Sequence, residues 1–149
     1  MGLTLNEAKC RISHTLEGDQ PGFDFLGFHI RQYRVGKYQS GQGPGGHRLG
    51  YKTLIKPAQT NIQEHLAEIG RIIRRSKALP QSALINQLNP IIRGWANYYR
   101  IGVSQVAYAR LDHLTWVKLR HWAHQRHATK SIGWAIERYW HRLGTRRAF

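Results

Sequence analysis

Two arginines, an amide and a phenol occur close together in one segment of the sequence, LNPIIRGWANYYR at Leu88–Arg100. Arg93 and Arg100 are about two helical turns apart, and Asn97 and Tyr98 lie between them. Guanidinium groups pair with phosphate oxygens, amides exchange hydrogen bonds with bases, and aromatic rings stack on bases. The segment is therefore typical of a nucleic-acid-binding surface, and a core helix with a solvated basic face is the open alternative.

Carboxylates are too scattered in this sequence for a two-metal active site. Nucleotidyl transfer or hydrolysis by two metal ions needs Asp or Glu side chains that share the ions. The aspartates are Asp19, Asp24 and Asp112, no two of which are adjacent or one residue apart, and the glutamates are scattered in the same way. The sequence therefore predicts no catalytic residue and no metal site in this chain.

Histidines and glycines supply two weaker patterns. His121, His124 and His127 follow one another at every third position, but no carboxylate or cysteine lies nearby to complete a zinc site. We interpret them as extra donors or stacking groups for RNA. The segment Gly36–Gly50 contains six glycines, yet no Gly-Lys-Ser/Thr opens a following helix, so a flexible hairpin tip is favoured over a phosphate-binding loop.

The charge of the chain indicates a polyanionic partner. Lys and Arg number 23 against 8 Asp and Glu, which gives a formal net charge of +15. Such an excess is typical of proteins that bind nucleic acid, and the 11% aromatic content argues against a disordered basic tail. No apolar run approaches membrane-spanning length, so we expect no membrane partner and a location in a bacterial-type cytoplasm or an organellar matrix.

Hydrophobic periodicity changes at Thr60, from a period of two to the 3.6-residue period of a helix. Before Thr60, Phe23–Tyr33 is predicted to form one strand that pairs with Tyr51–Ile55. After it, the pattern predicts three substantial helices and a short fourth, over residues 60–77, 81–101, 104–127 and 132–140. The predicted fold is mainly α, with an N-terminal β-hairpin over 23–35 and 50–56.

The central helix has one apolar stripe, which is formed by Ile91, Ile92, Trp95, Ala96 and Tyr99. Asn89-Pro90 has the pattern of a helix start, with one or two further helical turns before it. Basic and polar side chains outside the apolar stripes are the candidates for RNA binding. These candidates are Lys56, Arg71, Arg74, Arg75, Arg93, Asn97, Tyr98, Arg100, Lys118 and Arg120.

Three stretches resemble the C-terminal part of a group II intron reverse transcriptase/maturase. LNEAKCR at Leu5–Arg11 resembles the segment that follows the metal-binding hairpin of the polymerase, and FDFLGF at Phe23–Phe28 resembles the last block of the palm. The stretch from Ile55 to His127, with LNPIIRGWANYYR and LDHLTW, resembles the maturase-specific region. The family's fingers, its paired metal-binding aspartates and its C-terminal endonuclease domain have no counterpart in the sequence.

The resemblance implies an end-of-palm remnant over 1–56, a thumb-like helical domain over 57–127, and a short helix with a basic tail over 128–149. It also implies a primer-grip-like role for Phe25, Leu26, Gly27 and Phe28. No cofactor is expected in this chain, because Mg²⁺ would belong to the full-length polymerase or to the intron RNA. The expected partners are structured group II intron RNA and, in a split enzyme, a separate chain with the palm and fingers.

Three functional hypotheses remain open. The first is a maturase-type fragment that binds structured intron RNA and assists its splicing. The second is half of a split RNA-directed DNA polymerase, which would be inactive without a separate chain. The third is a small basic DNA-binding protein unrelated to introns, which would bind duplex DNA and structured RNA with comparable affinity.

Overall fold

The computed structural model describes residues 12–36, 38–143 and 146–149, and the chain divides into two compact units, Met1–Ala58 and Gln59–Phe149. The segment Leu5–Arg11 and Lys37 lie outside the described residues. The sequence-based boundaries at 56/57 and 127/128 stay predictions.

The first unit contains a three-stranded antiparallel sheet in the order β1-β2-β3, formed by Phe23–Phe25, Phe28–Arg34 and Tyr51–Pro57. The expectation of one strand over Phe23–Tyr33 is wrong, because a tight turn at Leu26 and Gly27 divides it. Both turn residues have positive φ, 47° and 78°, as a two-residue hairpin requires. Gly27 thus supplies the turn conformation rather than a gap in the middle of a strand.

The connection between β2 and β3 is itself hydrogen-bonded. Val35 N–H donates to the carbonyl of Gly50 at 3.1 Å, and Leu49 N–H donates to Gly41 at 3.1 Å. Nearer the tip, Gly43 N–H donates to the carbonyl of His47 at 2.8 Å. The glycine-rich tip is therefore a narrow extension of the hairpin.

The second unit contains four helices, α1 (Gln59–Arg75), α2 (Gln81–Tyr99), α3 (Gln105–Gln125) and α4 (Ile132–Tyr139). A two-stranded antiparallel sheet follows, formed by β4 (His141–Leu143) and β5 (Arg146–Ala148). The mainly-α fold class is confirmed, and this small C-terminal hairpin was not expected from the sequence. No helix in the described part of the chain is long and apolar enough to cross a membrane.

Asn89-Pro90 does not start a helix, because both residues lie inside α2, which begins at Gln81 after Pro80. Pro90 has no N–H to donate to the carbonyl of Asn86, which normally weakens a helix. Pro90 and Asn86 are both exposed, so water can solvate that carbonyl. The buried Leu84 and Leu88 on the opposite side hold the helix continuous across the proline.

The core of the second unit lies where α1, α2, α3 and α4 meet. Trp122 is central to it: its indole N–H donates to the carbonyl of Ser76 at 3.1 Å. Arg126 lies 4.8 Å above the Trp122 ring and donates to the carbonyls of Lys77 and Leu79 at 2.6 and 2.7 Å. The buried residues of this cluster are Ile69, Ile73, Leu84, Leu88, Leu119, Trp122, Ala123, Ala135 and Trp140.

Leu84 is 0% exposed, so Leu84→Ala should leave a cavity and lower the free energy of unfolding by about 2–5 kcal/mol. The measurement is urea unfolding followed by circular dichroism. Leu79→Ala is the control, since Leu79 is exposed and its truncation should cost far less. Equal losses in the two variants would contradict the core described above.

Candidate nucleic-acid interface

One face of α2, continued by the C-cap residue Arg100, carries three of the predicted RNA-binding side chains. Arg93, Asn97 and Arg100 follow at spacings of four and three residues, which places them on one side of a helix, and all three are exposed. Tyr99 is buried on the opposite side. The polar face therefore presents two guanidinium groups and an amide to solvent, while the buried apolar side of the helix packs against the rest of the unit.

Tyr98 does not share this face. It is one of the residues that line a cleft of about 630 Å³ between α1 and α2, where its ring lies 4.8 Å from that of Tyr99. Arg71 also lines the cleft, and its guanidinium pairs with Glu68 at 2.5 Å. Because Glu64 lies there too, this cleft is much less suited to a phosphate than the face of α2.

An aromatic stack forms one wall of the α1/α2 cleft. The ring of Trp95 lies 5.0 Å from His65 at an interplanar angle of 15°, and 4.3 Å from Tyr99. Burial lowers the pKa of His65 below its ordinary value of 6.5, and Glu68 opposes this shift. Burial, with smaller contributions from Tyr98 and Glu64, raises the pKa of Tyr99. His65 is thus a neutral packing group at neutral pH.

A second, smaller cleft of about 240 Å³ lies between α1 and α3. It brings together Arg74 from α1 and Lys118 from α3, both of which were predicted from the sequence. Lys77 and His121 also line it, and its lining contains no carboxylate. Arg75 is exposed on α1 but is not among the lining residues.

Arg120 forms a contact that sequence reasoning missed. Its guanidinium lies 4.8 Å above the ring of Trp116, and the imidazole of His113 stacks on Trp116 at 6.4 Å. The signal was present in the sequence, because positions 113, 116 and 120 share one face of a helix.

In the first unit, Lys56 contacts Tyr33 rather than standing alone. Its ammonium group lies 4.4 Å from the Tyr33 ring centre and 3.2 Å from the hydroxyl. Arg31 lies over the same ring at 4.9 Å, and sequence reasoning did not identify it. Alternate positions along a strand share a face, so the spacing of Arg31 and Tyr33 was the available signal.

The four residues expected to resemble a primer grip differ in exposure. Phe25 and Leu26 are 59% and 69% exposed at the β1–β2 turn, whereas Phe28 is buried. The carbonyl of Gly27 accepts a hydrogen bond from Ala58 N–H at 2.8 Å. Phe25 and Leu26 are therefore the two that offer apolar surface to a partner.

His121 in α3 and His127, two residues past its end, contact different partners. His121 lies 2.8 Å from the side-chain nitrogen of Gln125, and His127 lies 2.9 Å from the hydroxyl of Tyr139. Among the described residues, no group of three or more His, Cys, Asp or Glu side chains could hold a metal ion.

The lowered pKa of His65 predicts acid sensitivity. Between the folded-state pKa and 6.5 the unfolded chain binds more protons than the folded chain, so the free energy of unfolding falls as pH falls through this window. His65→Phe should keep the packing against Trp95 and remove this contribution. Thermal unfolding from about pH 7.5 to about pH 5 should therefore show a smaller loss in the variant than in the wild type. Parallel curves would contradict a neutral, buried His65.

Comparison with known families gives a match that begins in α1 and runs through α4. The model of the group II intron maturase-specific domain matches residues 62–140, more than half of the chain. A search of curated proteins found no match. The match confirms the predicted resemblance to the C-terminal part of a group II intron reverse transcriptase/maturase, and the function is of the maturase type. The chain belongs to the group II intron maturase-specific domain family.

Proposed function

We propose that the helical unit binds structured group II intron RNA and assists its splicing, in a bacterial-type cytoplasm or an organellar matrix. The RNA and its Mg²⁺ ions supply the chemistry, and the chain acts by binding. The observation that carries this proposal is the exposed face of α2 with Arg93, Asn97 and Arg100. Family membership supports the choice of intron RNA as the ligand.

Charge distribution supports the same proposal. No Asp or Glu occurs between Glu68 and Asp112, so α2 contains no carboxylate to pair with its own arginines. The 1.5 Å rise per residue places the Cα atoms of Arg93 and Arg100 about 10 Å apart along the helix axis. This spacing of the two arginines favours a ligand whose phosphates are spaced to match it. A ligand with the same negative charge in another arrangement would bind less well.

Replacing Arg93 or Arg100 with Gln should weaken intron RNA binding by about 1–3 kcal/mol if each makes a charge-assisted contact with phosphate. Both side chains are exposed, so the melting temperature should hardly change. Arg138→Gln is the matched control, because it removes the same charge from an exposed position on α4. If Arg138→Gln lowered the RNA affinity as much as the Arg93 and Arg100 variants do, these arginines would act only through net charge.

Selectivity separates this proposal from a plain basic DNA-binding protein. Binding curves at several salt concentrations, for intron RNA and for duplex DNA of equal length, should give higher affinity for the RNA. The chain should also raise the splicing rate of the intron at limiting Mg²⁺. Equal affinities with equal salt slopes would show that the charge acts without shape recognition, and would favour the DNA-binding alternative.

A second candidate function, half of a split polymerase, is supported by the apolar tip of the first unit. Phe23, Phe25 and Leu26 are 42%, 59% and 69% exposed at β1 and the turn that follows it. Exposed apolar groups at a sheet edge are typical of a protein-docking surface. The partner would be a chain that carries the fingers and the catalytic palm.

Alone, the chain should extend no primer on an RNA template with Mg²⁺, because its carboxylates are scattered. With the separate palm and fingers chain, the split-polymerase hypothesis predicts template-dependent extension that Phe25→Asp abolishes. Arg138→Asp, on an exposed site of α4, serves as the control. Extension by the repurified chain alone would contradict both candidate functions as stated.

A further inference from the structure

Two cationic side chains from different helices converge over Gly70, a buried glycine inside α1. A Cβ atom placed on residue 70 would lie 3.3 Å from Nη1 of Arg74 and 3.4 Å from Nζ of Lys118. Arg74 comes from the next turn of α1, whereas Lys118 reaches across from α3. The absence of a side chain at Gly70 thus leaves the space that both charged groups share.

In the part of the chain that the structure describes, no side chain neutralises this pair. Lys77 and His121 are the other titratable residues that line the α1/α3 cleft, and neither supplies a negative charge. Within the described residues, neither Arg74 nor Lys118 forms an ion pair or a side-chain hydrogen bond. Elsewhere, by contrast, Arg71 pairs with Glu68, and Arg126 donates to two backbone carbonyls.

The positive charges of Arg74 and Lys118 repel each other when both groups lie over Gly70. Long flexible side chains can relieve this repulsion by turning apart. An anion placed between them converts the repulsion into two attractions and supplies acceptors for the unused donors. Ile73 and Trp122 also line the cleft, and apolar surface strengthens an electrostatic contact beside it by excluding water. These features together describe a site for one compact anion.

We propose that the α1/α3 cleft holds one phosphate group of the bound RNA between Arg74 and Lys118, and that Gly70 is required to leave room for it. The inference rests on the proposed RNA-binding function. It adds a single, partly enclosed phosphate site, separate from the exposed contacts of α2. The arginine contributes a directional pair of donors and the lysine a compact charge.

Gly70→Ala is the most selective test, because it changes neither the net charge nor any polar group. Alanine is favoured over glycine in a helix interior, so the fold should be retained. The added methyl group would contact both cationic groups and fill the space between them that a phosphate needs. Intron RNA should therefore bind roughly tenfold more weakly. Gly94→Ala is the matched control: a Cβ on Gly94, also inside a helix, meets nothing within 4 Å.

The salt dependence of RNA binding measures the number of phosphates that the protein neutralises. If Arg74 and Lys118 share one phosphate, the double variant Arg74→Gln/Lys118→Gln should lower the slope of log affinity against log salt by about one. A reduction of about two would indicate two separate phosphates, and no reduction would indicate an unused cleft. Either result would overturn the proposal. Arg138→Gln, which removes an exposed charge on α4 outside the cleft, should leave the slope nearly unchanged.

The outcomes distinguish this site from the proposed function. Equal wild-type affinity for intron RNA and duplex DNA would contradict intron recognition, whereas equal RNA binding by Gly70→Ala and Gly94→Ala would contradict the cleft site alone. Inorganic phosphate, exchanged for chloride at constant ionic strength, tests the source of the anion. Saturable changes at the Lys118 side chain in NMR spectra, with RNA affinity unaffected, would assign the cleft to a free anion and overturn the proposal.

Discussion

The indole of Trp122 holds together the parts of the helical unit on which the rest depends. Its N–H binds the carbonyl at the end of α1, its ring lies under Arg126, and Arg126 in turn binds the connection between α1 and α2. Two segments that are distant in sequence, residues 76–79 and 122–126, are thereby fixed at one point. Because α1 and α3 are held side by side there, Arg74 and Lys118 must face the same cleft. The polar contacts of one core residue thus determine where surface charges meet.

The distribution of carboxylates divides the helical unit into two electrostatic regions. Glu64 and Glu68 lie near the middle of α1, next to the aromatic stack around Trp95, and they lower the positive potential of the α1/α2 cleft. The following stretch, up to Asp112, contains only cations among its Asp, Glu, Lys and Arg residues. Acidic side chains thus lie beside the α1/α2 cleft. The face of α2 and the lining of the α1/α3 cleft contain no acidic side chain to offset their positive charges. Net charge alone would not have shown this separation.

Periodicity predicted the helices well because each buries a single stripe, and burial is what sets the 3.6-residue pattern. Periodicity could not divide Phe23–Tyr33 into two strands. The turn at Leu26 and Gly27 depends on the local φ angles, and the apolar residues on its two sides alternate as they would in one continuous strand. The prediction of a helix start at Asn89-Pro90 failed because the packing of buried side chains keeps α2 continuous through a local pattern that is typical of a helix start. The cleft at Gly70 was beyond sequence reasoning, since it requires knowing that α3 packs against α1.

A glycine inside a helix costs about 1 kcal/mol relative to alanine, and like charges brought together add to that cost. In the free chain, Gly70, Arg74 and Lys118 therefore work against stability. Both costs are incurred on folding, before any ligand arrives. Binding then relieves a repulsion as well as forming new contacts, and any ligand that binds only the folded chain stabilises it further. A surface lysine that is free to move offers no such relief. A destabilising arrangement in the free protein is thus a physical means of making one phosphate contact stronger than the many exposed ones around it.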